Sequence, residues 1–131
     1  MQRAKLTYDN FADQLVIEIP EFIHLYEDHK NYNDEVLPHV LLGDFVRFLY
    51  ADISRSTIDP THIRNQNMLV RSLDLMERAI TSDDPALENL IGVSFVENLL
   101  PENGDEQAAY AFTVIRRLLG PKLRESLEQE M

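Results

Sequence analysis

The stretch LDLMERAITSDDPALENLIGVSFVENLL, residues 73–100, predicts two amphipathic helices joined by a tight turn. In the first helix, apolar residues recur at the spacing of one helix face. They are Leu69, Leu73, Met76 and Ile80. The turn TSDDP, residues 81–85, supplies an aspartate to cap the next helix and a proline to begin it. A helix pair of this kind resembles one unit of an α-solenoid.

The second helix of the pair carries apolar residues on two sides. One side is predicted to be core and contains Leu87, Leu90, Ile91, Phe95 and Leu99. The other side contains Val93, Val96 and Leu100. Gly92 and Ser94 are small, which favours close approach of a neighbouring helix. The middle of this stretch is therefore apolar enough to be buried on most sides.

The chain before this pair predicts three more helices. The first follows Thr7 or Asp9 and places Phe11, Leu15 and Ile19 on one stripe, although LVIEI, residues 15–19, also fits a strand. Pro20 begins the second helix, which NYND, residues 31–34, ends. The third runs over residues 37–54 and is apolar on nearly every face, so we expect it to be the central, most buried helix. A turn at Asp59-Pro60 precedes the fourth helix, which begins near Thr61 and reaches Ile80.

The chain after the pair predicts two further helices. PENGD, residues 101–105, separates them from the fifth helix. The predicted core positions of the sixth are Ala108, Ala111, Phe112, Ile115, Leu118 and Leu119. Gly120-Pro121 ends it, and PKLRESLEQE is a short polar helix that we expect to fray. The predicted fold is all-α: residues 1–131 form one domain, a compact bundle of about seven antiparallel helices with solenoid-like helix-pair packing in the C-terminal half.

Composition narrows the classes of function. The net charge of −11 disfavours nucleic-acid phosphate as a partner. No apolar run approaches the roughly 20 residues of a membrane span, and no signal-peptide pattern opens the chain, so we expect a cytoplasmic protein with no membrane partner. The chain contains no cysteine, which excludes disulfides and thiolate metal sites.

Charge is most uneven in residues 83–110, which hold seven acidic residues and no Lys or Arg. They are Asp83, Asp84, Glu88, Glu97, Glu102, Asp105 and Glu106. Two adjacent pairs, at 83–84 and 105–106, can cap and complement helix N-termini. Glu88, Glu97 and Glu102 have no such role in the sequence. We take the seven as a candidate partner-binding surface for a basic protein, with solubility and capping as the alternative explanation.

The motifs that could carry chemistry are incomplete. Glu21-x-x-His24, with Asp28 nearby, is half of a di-metal signature whose second half is missing. The string GVSFV, residues 92–96, lacks the second glycine of a nucleophile elbow. The four glycines are scattered, which excludes a phosphate loop. We therefore predict no catalytic residue, no metal ligand and no cofactor, and hence a protein that is not an enzyme.

The arginines of the fourth helix, Arg64, Arg71 and Arg78, lie seven residues apart, with Asp74 among them. Intrahelical ion pairing explains them without a nucleic-acid ligand. Asp44 and Arg47 are likewise spaced to pair within the third helix.

Three strings together carry a family resemblance: PEFIHLYEDHKNYNDEVLPHVLLGDFVRFL (20–49), NLIGVSFVENL (89–99) and LLGPKLRESLEQ (118–129). They resemble an uncharacterised family of small all-helical bacterial domains, some of which occur among candidate immunity proteins of toxin systems. The similarity spans about residues 7–128 and brings no catalytic residues with it. It implies an α-helical fold and an immunity protein that blocks a basic toxin. The alternative function is a helical adaptor or scaffold, or a homo-oligomeric domain.

Overall fold

Seven α-helices and no strand occur among residues 5–58, 66–101 and 104–131, the part of the chain that the computed structural model describes. The helices are α1 (Tyr8–Glu18), α2 (Ile23–Asn33), α3 (Pro38–Ile58), α4 (Gln66–Ile80), α5 (Pro85–Leu90), α6 (Glu106–Leu118) and α7 (Pro121–Glu130). They pack around one cluster of buried apolar residues. The predicted all-α fold and compact bundle are confirmed. The expected turn at Asp59-Pro60 and the expected helix start near Thr61 lie outside the described residues.

The N-terminal helix begins at a capping box. The Thr7 side chain accepts the Asn10 N–H at 3.2 Å, and the Asn10 side chain accepts the Thr7 N–H at 2.9 Å. The strand alternative for residues 15–19 is wrong, because α1 continues to Glu18. Pro20 then begins a 3₁₀ turn, Pro20–Phe22, that leads into α2.

The third helix is buried on one side only. Leu41, Phe45 and Leu49 face the core with at most 1% of their surface exposed. On the other side Val40 is 49% exposed, and the Arg47 side chain is 71% exposed. In α4 only Val70 and Asp74 are exposed between residues 68 and 80, so the expectation that α3 is the most buried helix is wrong.

Residues 85–99 form one continuous helical segment. It begins as α5, widens into a π-helical turn at Ile91–Val96, and ends in a 3₁₀ turn at Glu97–Leu99. All five predicted core residues of this segment are buried. The wide π turn also places three consecutive residues, 94–96, in the core. The segment contacts α3, α4 and α7, which makes it the centre of the bundle.

The two C-terminal helices are fixed to the core. Leu123 and Leu127 of α7 are buried, and the Glu77 carboxylate of α4 accepts the N–H groups of Lys122 at 3.0 Å and Leu123 at 2.9 Å. The expectation of a frayed terminal helix is therefore wrong. In α6, Leu118 is 45% exposed, so its prediction as a core residue is also wrong.

Two arginines of α4 link this helix to the end of α1. Arg71 donates to the Glu18 carbonyl at 2.8 Å and pairs with the Glu21 carboxylate. Burial raises the pKa of Glu21, but the hydrogen bonds and the positive charge of Arg71 outweigh it, so the pKa lies below its usual value. Arg78 pairs with the Glu18 carboxylate and with Asp74, the latter at 3.2 Å. The predicted pairing within α4 is thus confirmed for Arg78 and Asp74. In addition, Arg71 and Arg78 both bind residues outside α4.

A membrane span would need a longer apolar helix than any found in the described part of the chain.

Candidate functional site

The first two acidic residues of the 83–106 tract shape the turn between α4 and α5. Asp83 has a φ of 67°, a left-handed conformation that aspartate tolerates in turns. Asp84 accepts the Ala86 N–H at 3.1 Å and the Tyr8 N–H at 2.8 Å, so one carboxylate binds the first turns of both α5 and α1. The hydrogen bond from the Tyr8 N–H, with those from α5, lowers the pKa of Asp84. Asp84 therefore has a structural role.

Glu88 also has a structural explanation. It is half-buried and lies in the first turn of α5, where the helix dipole favours a carboxylate. The interpretation that Glu88 has no role at a helix N-terminus is therefore wrong.

The last acidic residues of the tract surround the start of α6. Asp105 caps this helix by accepting the Ala108 N–H at 3.0 Å, and Glu106 lies in its first turn. Both side chains are exposed. Glu102 lies outside the described residues.

Glu97 follows the π turn and does not cap an α-helix. It is exposed and, together with Asp105, lines a groove of about 310 Å³ between α3 and residues 97–101 and 105–108. Tyr50 lies in the same groove and donates its hydroxyl to the Leu99 carbonyl. Burial raises the pKa of Tyr50 to about 12, so the phenol stays neutral beside the two carboxylates.

The structure separates the predicted surface into two parts. Asp83 and Asp84 precede segment 85–99, whereas Glu97 and Asp105 are at its far end. The thirteen residues from Asp84 to Glu97 span about 20 Å at helical rise. We call Glu97, Asp105 and Glu106 the acidic corner, because Glu97 and Asp105 share a groove and Glu106 follows directly. The six described acids of the tract therefore do not form one continuous face.

No ion pair joins an arginine to the acidic corner in the described part of the chain. Arg71 and Arg78 bind Glu21 and Glu18, as shown above. Arg47 lines the groove of the acidic corner but pairs with Asp44, which confirms the predicted pair within α3. Arg64 lies outside the described residues.

A contact between His39 and Ser94 escaped sequence reasoning. The His39 Nδ1 hydrogen-bonds the Ser94 hydroxyl, and the Asn98 side chain binds the Ser94 carbonyl at 2.5 Å. Fifty-five residues separate the pair, so no local motif signals it. Ser94 is only 5% exposed, which leaves its hydroxyl satisfied by His39 and poorly accessible to a substrate.

The partial metal motif does not assemble into a larger cluster. Glu21 is bound by Arg71, and His24 is exposed. Within residues 5–58, 66–101 and 104–131, no group of three or more His, Cys, Asp or Glu side chains could hold a metal ion.

The fold and these side chains define an all-α domain in which several charged residues cap or link helices. Residues 12–131 match the family described as a domain of unknown function, DUF7674, and the chain belongs to that family. This confirms the expected relation to an uncharacterised family. No curated protein and no solved structure matches the chain significantly.

Proposed function

We propose that the chain is a non-enzymatic protein-binding domain whose acidic corner contacts a basic protein. The observation that supports this most is the position of Glu97 and Asp105, which line one groove without an ion pair to a described lysine or arginine. Adjacent like charges repel each other, and a basic partner would relieve that repulsion.

The net charge of −11 adds long-range attraction for such a partner. Electrostatic complementarity mainly raises the association rate, which suits an inhibitor that must capture its target quickly. The family resemblance supplies the biological setting that we propose: a cytoplasmic immunity protein in a bacterium, bound to a basic toxin.

The experiment begins with the protein encoded next to this gene, with a toxin immediately upstream as the expected arrangement. Association of the purified pair is measured by stopped flow between 50 and 300 mM salt. We expect the association rate to fall steeply with salt, and Glu97→Lys with Glu106→Lys to slow it by about tenfold. These two positions are chosen because they leave the caps Asp84 and Asp105 intact.

The matched control is Glu128→Lys with Glu130→Lys on α7, which changes net charge equally at two exposed positions elsewhere. Equal slowing by both double variants would mean that net charge alone governs association and that the acidic corner is not the contact. A rate that is independent of salt and of both variants would contradict charge-led binding altogether.

A second candidate function, a helical adaptor, is favoured by a different observation. The outer sides of α2 and α3 enclose an apolar groove of about 640 Å³, larger than the groove of the acidic corner. Grooves between helices are frequent binding sites for peptides.

A further inference from the structure

The groove between α2 and α3 is lined at helical spacing by both helices. On α2 the lining residues include Leu25, Asp28 and Tyr32, and on α3 they include Val40, Phe48 and Arg55. The α3 side, from residue 40 to residue 55, extends over about 22 Å at helical rise. The groove therefore has the length of a docked helix of about four turns.

The floor of the groove packs against the core. Phe48 packs against Phe22 and Phe45 of the core, with ring centroids 5.4 and 6.0 Å apart. At one side, buried His29 accepts the Leu37 N–H at 3.0 Å on Nε2, so its other nitrogen carries the proton. That nitrogen faces Asp44 at 3.4 Å. These contacts of His29 link α2 to Leu37 and to α3.

Helix α2 itself is poorly covered. Only His29 is buried among its eleven residues, while Leu25 is 42% and Tyr32 is 90% exposed. Val40 faces them from α3 and is 49% exposed. Most helical stability in proteins comes from packing of an apolar face, and this face of α2 and α3 has no covering helix among the described residues.

The two rims of the groove differ in charge. Arg47 and Arg55 lie on the α3 rim, about 12 Å apart at helical rise, and Asp28 lies on the α2 rim. Arg47 already pairs with Asp44, but Arg55 and Asp28 pair with no other described residue. An occupant that places a carboxylate toward α3 and a base toward α2 complements both rims.

We propose that this groove binds an amphipathic helix from another protein. The helix carries apolar residues at positions i, i+3, i+4 and i+7, a carboxylate on the flank facing Arg55, and a Lys or Arg on the opposite flank facing Asp28. The charges fix its direction along the groove, since the reversed helix would bring like charges together. This inference concerns a different surface from the acidic corner and does not depend on it.

A second copy of the chain is a poorer occupant. A twofold dimer through this surface would face one groove against the other, so neither groove would be filled. Each copy would also bring its net charge of −11, which opposes association. A convex helix from a different chain has neither problem.

The test uses a display library of 18-residue helical peptides with fixed apolar positions i, i+3, i+4 and i+7 and randomised polar positions. We expect enriched peptides to carry the carboxylate and base flanks described above. Amide chemical shifts of the full chain should then change in α2 and α3. Val40→Glu should weaken binding at least tenfold, because it places a charge in the apolar contact. The matched control Val70→Glu, on the exposed side of α4, should change it less than twofold.

Charge reversal tests the direction of the helix. Arg55→Glu should weaken binding about threefold to fivefold, and replacing the facing peptide carboxylate with Lys should restore it. Enrichment of no peptide, shifts confined to other helices, or self-association that Val40→Glu abolishes would each overturn the proposal. Glu97→Lys with Glu106→Lys should leave peptide binding within twofold, so failure here and failure of the acidic corner are distinguishable.

Discussion

Two sides of the bundle use similar residue types in different ways. On the closed side, which comprises α1, α4, α5 and α7, charged side chains reach across to other helices: Asp84 binds the start of α1, Glu77 binds the start of α7, and Arg71 binds the end of α1. On the open side, the α2–α3 groove, Asp28 and Arg55 bind no described residue.

This difference separates charged residues that stabilise the fold from those that can bind another chain. A carboxylate that accepts backbone N–H groups satisfies donors that a helix N-terminus would otherwise leave unpaired. If such a carboxylate bound a partner instead, those N–H groups would lose their acceptor and the helix would be destabilised. Charges on the rims of an open groove carry no such cost, so they are free to recognise another chain.

The largest expected effect is in the central segment. Phe95→Ala removes a fully buried ring from the π turn that contacts α3, α4 and α7, and should lower the free energy of unfolding by about 3–5 kcal/mol. Urea unfolding followed by circular dichroism measures this. The control Val93→Ala, at a residue 43% exposed in the same turn, should cost less than about 1 kcal/mol. A loss for Phe95→Ala that is as small as the loss for Val93→Ala would mean that the π turn is not part of the core.

A smaller effect is expected where the closed side is linked through Glu77. Glu77→Ala leaves the N–H groups of Lys122 and Leu123 without their acceptor and should lower the free energy of unfolding by about 1–2 kcal/mol. Gly120→Ala should act in the same direction, because its Cβ would lie 2.6 Å from the Glu77 Cδ and displace the carboxylate. Together the two substitutions should cost little more than one, since both remove the same link. Additive losses would contradict that link.

A pH dependence should mark the link through Asp84. Its pKa is lowered in the folded state, so it stabilises the fold at pH values above the unfolded pKa of about 4, and this contribution is lost as pH falls through the folded pKa. Asp84→Asn should therefore reduce the loss of stability between pH 6 and pH 2.5, measured as the urea midpoint. Asp83→Asn is the adjacent control: it removes a carboxylate from the same turn and leaves the hydrogen bonds of Asp84 in place. Identical pH profiles of the urea midpoint for the wild type and both variants would exclude Asp84 as a contributor to the pH dependence of stability.

The smallest effect should come from the open side. Val40→Ser and Leu25→Ser reduce exposed apolar surface and should change the free energy of unfolding by no more than about 0.5 kcal/mol. Thermal melting of the isolated protein measures this. A loss of 2 kcal/mol or more would show that these residues support the bundle itself, and the contrast between the two sides would disappear.

Local patterns in the sequence predicted the helices well. The stripe Leu69, Leu73 and Met76 is buried, and Pro20 begins a helical turn as expected. Pattern alone misplaced the centre of the bundle: α3 is apolar on nearly every face in the sequence, but Val40 and Arg47 on its outer side are exposed. Local sequence patterns could not predict the π turn either, because its wider spacing follows from packing against three helices.

For the candidate site, the sequence by itself determined the excess of negative charge and the capping positions Asp84 and Asp105, because a cap is a local property of the chain. Only the tertiary structure decided that Asp84 also binds α1, that the acidic tract is divided by segment 85–99, and that α2 and α3 leave a groove open. The physical reason is that these features depend on distances between residues far apart in the chain, which helical periodicity does not encode.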